Sequence, residues 1–283
     1  MKIKIISAIL VLALASMACG FSFNLPKAPE PGPDVTDQIT VAAPTSGEAH
    51  LNIRFGAGEL HLDPGAKGDL VDGSATYNIP ELKPEVKTNG SDITIQQGND
   101  KLNSVPTMNN IKNIWDLKLG DKPMDLTIEA GAYEGKLELG GLSLNNLTVK
   151  DGAANVELSF ASPNLTEMSV LRYETGASTV TIAGLANANF GTFIFSGGAG
   201  SYDLGFDGSL QRDATVTVDS GLSDVTLRIP KNVHVVATVE GGLSSVNTSS
   251  GWTQNGDTYT QSGDGPTLTI IVKLGAGTLT LTD

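Results

Sequence analysis

The chain of 283 residues contains a single cysteine, three histidines and few charged residues, which make up 17% of it. One cysteine excludes an intramolecular disulfide and a thiolate metal cluster, so stability must come from buried apolar area. Lysine and arginine number 18 against 31 aspartate and glutamate residues, which gives a net charge of −13. Because phosphate binding needs a basic surface, these numbers exclude nucleic acid as a partner. The 40% hydrophobic content and 33 glycines indicate a folded, glycine-rich protein.

The N-terminus has the order of a secretory signal: Lys2 and Lys4, an apolar run over residues 5–14, and small residues before Cys19. That run is shorter than the roughly 20 residues that span a bilayer, so the signal is predicted to be cleaved. The sequence resembles the lipobox of bacterial lipoproteins, in which the cysteine receives diacylglycerol and becomes residue one. Ser16 departs from that pattern, where leucine is usual, and an ordinary signal peptide is the alternative. The lipobox implies an extracytoplasmic protein anchored by lipid on Cys19 to the cell membrane or the outer membrane.

Four segments follow from composition and pattern. Residues 1–18 are the signal peptide, and residues 19–37 hold the lipidated cysteine and a stalk with four closely spaced prolines, which favour polyproline II. Residues 38–125 are predicted to form an N-terminal β domain. Residues 126–283 are predicted to form β repeats with a C-terminal cap.

Alternating apolar and polar residues recur from residue 38 onward, whereas helical periodicity with caps is nearly absent, so the chain is predicted to be all β. One motif repeats: a β run, a glycine followed by a small or apolar residue, a few polar residues, and a second β run. The motif glycines are Gly56, Gly131, Gly152, Gly176, Gly198, Gly221, Gly242 and Gly275. From Gly131 to Gly242 they are separated by 21 to 24 residues. Such regular spacing predicts a stacked β-roll or β-solenoid with coils of about 22 residues.

In this interpretation the motif glycines are structural corners, and positive φ is expected at most of them. Alternation predicts two inward-facing ladders. The first contains Leu137 and Leu139, Val156 and Leu158, Val180 and Ile182, Leu204 and Phe206, and Val225 and Leu227. The second contains Leu147 and Val149, Met168 and Val170, Phe193 and Phe195, Val216 and Val218, and Val233 and Val235. The N-terminal β domain caps one end, and a hairpin around Asn255-Gly256-Asp257 with the final strand, residues 278–282, is predicted to cap the other.

Several short motifs resemble known bacterial envelope proteins. Residues 52–144 resemble a toast-rack N-terminal domain, through the runs 55–60 (FGAGEL), 126–132 (LTIEAGA) and 115–119 (WDLKL). The later repeats resemble the adhesin-like repeats often joined to that domain. The resemblance implies an extracytoplasmic β-roll or solenoid, with some relatives among cell-envelope stress regulators. It implies no catalytic residues.

A search for chemistry along the sequence finds no catalytic site, no metal site and no cofactor motif. His50, His61 and His234 are not at metal-ligand spacing, and His61 is interpreted as a surface residue of an alternating strand. Asp203 with Asp207, and Asp257 with Asp264, could offer oxygens to calcium, but neither pair matches a calcium-binding motif. Solvated turn acids are the favoured interpretation.

These observations predict a lipid-anchored cell-surface β-solenoid that acts as an adhesin-like or envelope structural and binding module, without catalysis. Possible partners are the membrane, a surface glycan and an envelope protein. The first alternative is an envelope-stress or signalling accessory that docks a membrane partner. The second is a polysaccharide-active enzyme, which would need several acids and a base grouped in one cleft.

The lipobox resemblance predicts that attachment to the membrane depends on the sulfur atom of Cys19. Cys19→Ser removes the thiol that would carry diacylglycerol, and we expect the protein to leave the membrane fraction. Immunoblotting of membrane and soluble fractions, with Ser16→Leu as a variant closer to the lipobox pattern, provides the measurement. Equal membrane retention of wild type and Cys19→Ser would contradict the anchor.

Overall fold

The computed structural model of the protein describes residues 31–98 and 110–283. Fifteen strands lie in these ranges and belong to one sheet. They are β1 Val35–Ala42, β2 Ala49–Pro64, β3 Asp69–Tyr77, β4 Pro84–Asn89, β5 Asp92–Gln97, β6 Asn113–Leu119, β7 Met124–Glu138, β8 Leu144–Ser159, β9 Met168–Ala183, β10 Phe190–Gly205, β11 Ala214–Arg228, β12 His234–Thr248, β13 Trp252–Asn255, β14 Thr258–Gln261 and β15 Thr267–Thr282. Two short 3-10 turns, Pro80–Leu82 and Leu185–Ala188, complete the regular structure of these ranges. The all-β prediction is confirmed.

Eight long strands form the body of the protein as a parallel stack in the order β2-β7-β8-β9-β10-β11-β15-β12. Each has 15 or 16 residues and contains one motif glycine near its middle. We call the part before the glycine the first arm and the part after it the second arm. Neighbouring strands pair in register along both arms, so each coil repeats the previous one about 4.8 Å further along the stack. This arrangement is the predicted stack of coils.

The motif glycines lie at one level of the stack. A Cβ built on Gly176 or Gly198 would lie 2.4 Å from the carbonyl oxygen of the motif glycine in the preceding coil. At Gly221 the same distance would be 2.6 Å. None of these three glycines, nor Gly152, has positive φ, so the expectation of left-handed corners is wrong. Glycine is required here because two backbones approach closely, not because the backbone needs a left-handed conformation.

The inward faces of both arms form one continuous hydrophobic core. The predicted core residues are buried, apart from the half-buried Val170 and Val233. The register differs from the prediction in several coils. In the second arms, Gly135 of β7 and Tyr202 of β10 lie level with Val156 of β8, two positions before the residues predicted there. In the first arms, the residues that replace the predicted pairs are Leu171 and Tyr173 in β9, and Ala237 and Val239 in β12.

The N-terminal end of the stack is covered by shorter strands. β5 pairs with the first arm of β2 and β6 with its second arm, and β6 continues antiparallel into β3 and β1. Trp115 of β6 is wholly buried and packs edge-on against Phe55, with ring centroids 5.2 Å apart. The boundary between the N-terminal β domain and the repeats was predicted at residues 125 and 126. The sheet is continuous across these residues, because β2 is itself a full coil that pairs with β7.

The C-terminal end differs from the prediction in one respect. The hairpin β13–β14 is present, with φ +59° at Gly256. It covers only the first arm of β12, through antiparallel pairing with Val235–Thr238. The final strand is not part of a cap, because β15 is a full coil inserted between β11 and β12. No helix in the described ranges is long and apolar enough to cross a membrane.

The glycine contacts predict unequal effects of the same substitution along the stack. Gly198→Ala would place a methyl group 2.4 Å from a backbone oxygen, so we expect a loss of about 1–3 kcal/mol in the free energy of unfolding. Gly242→Ala is the matched control, since its Cβ would lie 3.9 Å from the oxygen of Gly275. Thermal unfolding followed by circular dichroism measures both. Equal melting temperatures for the two variants would contradict the close-approach explanation.

Candidate binding groove at the bend of the coils

The residue just before each motif glycine points into the bend between the two arms. Along the stack this row consists of Phe55, Ala130, Asp151, Thr175, Gly197, Ser220, Leu274 and Gly241. The row is apolar at β2 and β7 and polar in the middle coils. Polar side chains inside a β-roll need hydrogen-bond partners, since burial without them costs free energy.

Asp151 is the centre of this polar row. Its carboxylate accepts hydrogen bonds from the Tyr173 hydroxyl at 2.7 Å and from the Thr175 hydroxyl. The Ser178 hydroxyl lies 3.4 Å from the same carboxylate. Burial raises the pKa of Asp151, while these hydroxyl donors act in the opposite direction. The side chain is half-buried, so one side of it faces solvent.

Pairs of hydroxyl groups join the two arms across the bend. Thr175 and Ser178 of β9 are hydrogen-bonded at 2.6 Å between their oxygens, and Ser220 and Ser223 of β11 at 2.7 Å. In both strands one partner precedes the motif glycine and the other follows it by two residues. The backbone N–H of Ala154, in the preceding coil β8, donates to the Ser178 hydroxyl at 3.0 Å. These bonds hold the bend at a fixed angle in the coils that flank β10.

Three tyrosines fill the space behind the polar row. Burial raises the pKa values of Tyr133, Tyr173 and Tyr202, so all three are neutral phenols at physiological pH. Tyr202 takes the space that a side chain at Gly197 would need, because a Cβ there would lie 2.8 Å from the Tyr202 hydroxyl oxygen. Tyr202 is wholly buried, and its hydroxyl interacts with the side chain of Ser220.

An open groove of about 480 Å³ lies over this part of the bend. Its lining consists of Lys150, Asp151, Glu174, Thr175, Ser196, Gly197 and Asp219. Three carboxylates and one ammonium group give the lining a net negative charge. Gly197 adds no side chain to the floor of the groove, and the Tyr202 hydroxyl lies directly beneath it. The groove therefore offers many hydrogen-bond acceptors, a few donors and a potential that repels anions.

The outer wall of the groove belongs to a row of charged residues two positions before the motif glycines. Opposite charges alternate between strands, with Arg54 3.0 Å from Glu129, Lys150 3.9 Å from Glu174, and Lys273 3.5 Å from Glu240. All of these ion pairs are substantially exposed, so each contributes little to stability. The row is interrupted by the uncharged Ser196 of β10, and on the other side of β10 Asp219 of β11 lies in register with Lys273 of β15.

The other residues singled out in the sequence lie elsewhere. Cys19 falls outside the described residues. The Nδ1 of His61 lies 2.6 Å from Asp116, and that of His50 lies 3.3 Å from Asp125. Asp203 pairs with Arg228, and Asp207 accepts from the N–H of Gly184 at 3.1 Å. Across residues 31–98 and 110–283, no group of three or more histidine, cysteine, aspartate or glutamate residues could hold a metal ion.

The groove itself was missed from the sequence, although a signal for it exists. Asp151 follows Leu147 and Val149 at alternate positions of the same strand, so strand periodicity alone places it on the inner face. An acidic residue in an inward phase indicates a buried polar cluster. Lys150, the neighbouring residue on the same strand, provides the basic group of the groove.

Eight stacked coils, each a long strand with a motif glycine near its middle, define the class of protein as a toast-rack β-roll. The chain belongs to this family: residues 30–183 match the family described as the N-terminal domain of toast_rack, which is more than half of the sequence.

Two solved structures share the fold. A "putative cell adhesion protein" from Clostridium sporogenes ATCC 15579 is 22% identical, with a TM-score of 0.52 over 88% of this chain and 99% of its own. A "putative adhesin" from Bacteroides fragilis NCTC 9343 is 14% identical, with a TM-score of 0.52 over 88% of this chain and 97% of its own. No curated protein matches the sequence.

The raised pKa of Asp151 generates a prediction on pH dependence. The folded protein binds the carboxyl proton more tightly than the unfolded chain, whose pKa is near the usual 3.8. The stability that this group contributes is therefore greatest below that pH and decreases as pH rises toward the folded pKa. Asp151→Asn abolishes the titration.

We expect the free energy of unfolding of Asp151→Asn, relative to wild type, to increase as pH is raised from about 3 to about 7. Scanning calorimetry at a series of pH values measures this difference. Asp224→Asn, on the exposed face of β11, removes the same charge and serves as the control. Parallel pH profiles for wild type and Asp151→Asn would be inconsistent with a half-buried carboxylate whose pKa is raised by burial.

Proposed function

We propose that this protein is a lipid-anchored, extracytoplasmic binding module, adhesin-like in architecture and without catalysis, that holds a neutral polyhydroxylated ligand such as a surface glycan in the bend groove. The groove carries the proposal, because its lining matches the chemistry of sugar hydroxyls. The names of the two similar structures, an adhesion protein and an adhesin, support a surface-exposed binding role.

The charge of the groove narrows the class of ligand. Glu174 and Asp219 line it together with Asp151, against the single basic residue Lys150. Phosphorylated, sulfated or uronic-acid polymers would bring further negative charge to a surface that already repels it. A neutral sugar can donate its hydroxyls to the carboxylates and accept from Lys150 and Ser196.

The regular stack of coils suits a ligand that itself has a repeating structure, such as a polymer. Groove residues occupy two successive positions on β8, β9 and β10 and one position on β11, and those strands pair in register over both arms. Such a surface holds its polar groups at fixed spacing of about 4.8 Å from strand to strand. Rigid positioning lowers the entropy lost on binding, which supports recognition of a polymer by several weak contacts.

Catalysis on a polysaccharide is a second candidate, because the groove does bring three acids and a lysine together on neighbouring coils. The contacts favour binding. The Asp151 carboxylate already accepts hydroxyl donors, and Glu174 is paired with both Lys150 and Arg172. Under this proposal the groove retains its ligand unchanged, whereas a lyase or hydrolase would release new reducing ends.

The test is binding to an array of neutral and anionic envelope glycans. We expect Glu174→Gln combined with Asp219→Asn to weaken binding of neutral glycans by at least about tenfold, since two charge-assisted acceptors are lost. The control is Glu134→Gln combined with Asp224→Asn, which removes two exposed acids from the second-arm face. Its binding should equal that of wild type.

The outcomes separate the candidate functions. Binding that responds equally in both double variants, or that prefers anionic glycans, would refute the groove as the glycan site. New reducing ends on incubation with a bound polysaccharide would favour the enzyme. Crosslinking in cells to one stoichiometric membrane protein, without glycan binding, would favour the signalling accessory.

A further inference from the structure

The second arm of β12 forms a free edge at the C-terminal end of the stack. On one side it pairs with β15 as far as Thr248 and Leu281. On the other side, the hairpin strand β14 pairs only with the first arm, Val235–Thr238. Among the described residues, nothing pairs with residues 243–248 on that outer side. A strand edge with unpaired backbone groups is a template for another β-strand.

The orientation of the free backbone groups follows from the ladder. The N–H of Ser249 donates to the carbonyl of Leu281 at 2.9 Å, so Ser249 faces β15. Because successive residues alternate in a strand, Asn247 and Ser245 also face β15, whereas Val246 and Thr248 direct their N–H and C=O groups outward. Two donors and two acceptors are therefore presented to an incoming strand.

The other sheet edges carry features that discourage pairing. β4 begins with Pro84 and carries Glu85 and Lys87. β1 contains Asp37 and a register shift at Val41 and Ala42. β13 has only four residues. Proline, charge, irregularity and short length are the usual means by which proteins protect an edge, and the second arm of β12 has none of them.

The charge of the edge indicates which partner fits. Residues 241–253 contain no charged residue, although the whole chain carries −13. A second copy would therefore approach this edge without like charges facing each other across it. The end of the hydrophobic core also opens here, with Val246 and Trp252 only partly buried. A second copy would bring its own Val246 to the same place.

We propose that this edge is a self-association surface on which two copies of the chain pair through the second arms of β12. Identical edges pair antiparallel about a two-fold axis. The axis passes between the Val246 residues of the two copies, because the backbone N–H and C=O groups of Val246 point out of the sheet edge. In that register Thr248 of each copy lies opposite residue 244 of the other. The two sheets join into one, and the half-buried Val246 side chains meet on the core side.

The test compares matched pairs of substitutions in the full-length protein in detergent solution, by light scattering that separates protein mass from detergent mass. Ser245→Asp with Asn247→Asp places four like charges around the two-fold axis. Thr179→Asp with Thr181→Asp adds the same charge on the same two rows of the sheet, but on β9. We expect wild type and the β9 variant to dimerise with equal affinity, and the β12 variant at least about tenfold more weakly.

A second variant distinguishes loss of the interface from misfolding of the β12 charge variant. Thr248→Pro removes one outward donor and leaves the bonds between β12 and β15 intact, so it should weaken dimerisation with little change in melting temperature. A wild-type protein that stays monomeric at about 1 mM would overturn the proposal. Dimers that survive equally in Thr248→Pro and in the β12 charge variant would overturn it as well, because another surface would then be the interface.

Discussion

The close approach of backbones at the stacked glycines is the constraint on which the rest of the structure depends. In β7, β8, β9, β10, β11 and β15 the motif glycine lies against the carbonyl oxygen of the motif glycine in the neighbouring coil. Because all eight strands bend at the same level, both arms stay in register and their inner faces enclose one core. A side chain at that level would separate two coils, and the separation would affect pairing on both arms. The polar bend, the groove and the charged row all lie within two residues of this point.

Regular glycine spacing made the stack of coils predictable, since steps of 21 to 24 residues leave few other architectures. The order of the last strands was not predictable in this way. β12 and β15 carry the same motif, and proximity along the chain favours β12 as the neighbour of β11. The structure places β15 there instead, with Ile270, Val272 and Leu274 buried. β12 has the smaller Ala237 and the half-buried Val239 at its inner positions, which suits a strand at the end of a core.

The groove illustrates what strand periodicity can and cannot supply. Periodicity places Asp151 on the inner face, but it does not show that Tyr173 and Thr175 of the next strand supply hydrogen-bond donors. Those contacts join residues 22 and 24 positions apart and depend on the register, which the sequence pattern misassigned by three positions in the first arm of β9. Nor could the sequence show that Tyr202 reaches back across the bend into the space left by Gly197. Such departures from the repeat distinguish one part of a repeat protein's surface from the rest, and here they coincide on β8, β9 and β10.

The distribution of charge connects the two ends of the stack with the two proposed surfaces. On the first arm the charged row extends to Lys273 and Glu240, and there the hairpin closes the end of the sheet. On the second arm the outward acids stop at Asp224 of β11, and the last two strands carry only uncharged side chains after their motif glycines. Charge near an edge opposes the addition of strands, and its absence permits it. The protein thus combines an acidic groove in its middle coils, which repels anions, with a neutral edge at its C-terminal end, where a second copy can approach despite the net charge of −13.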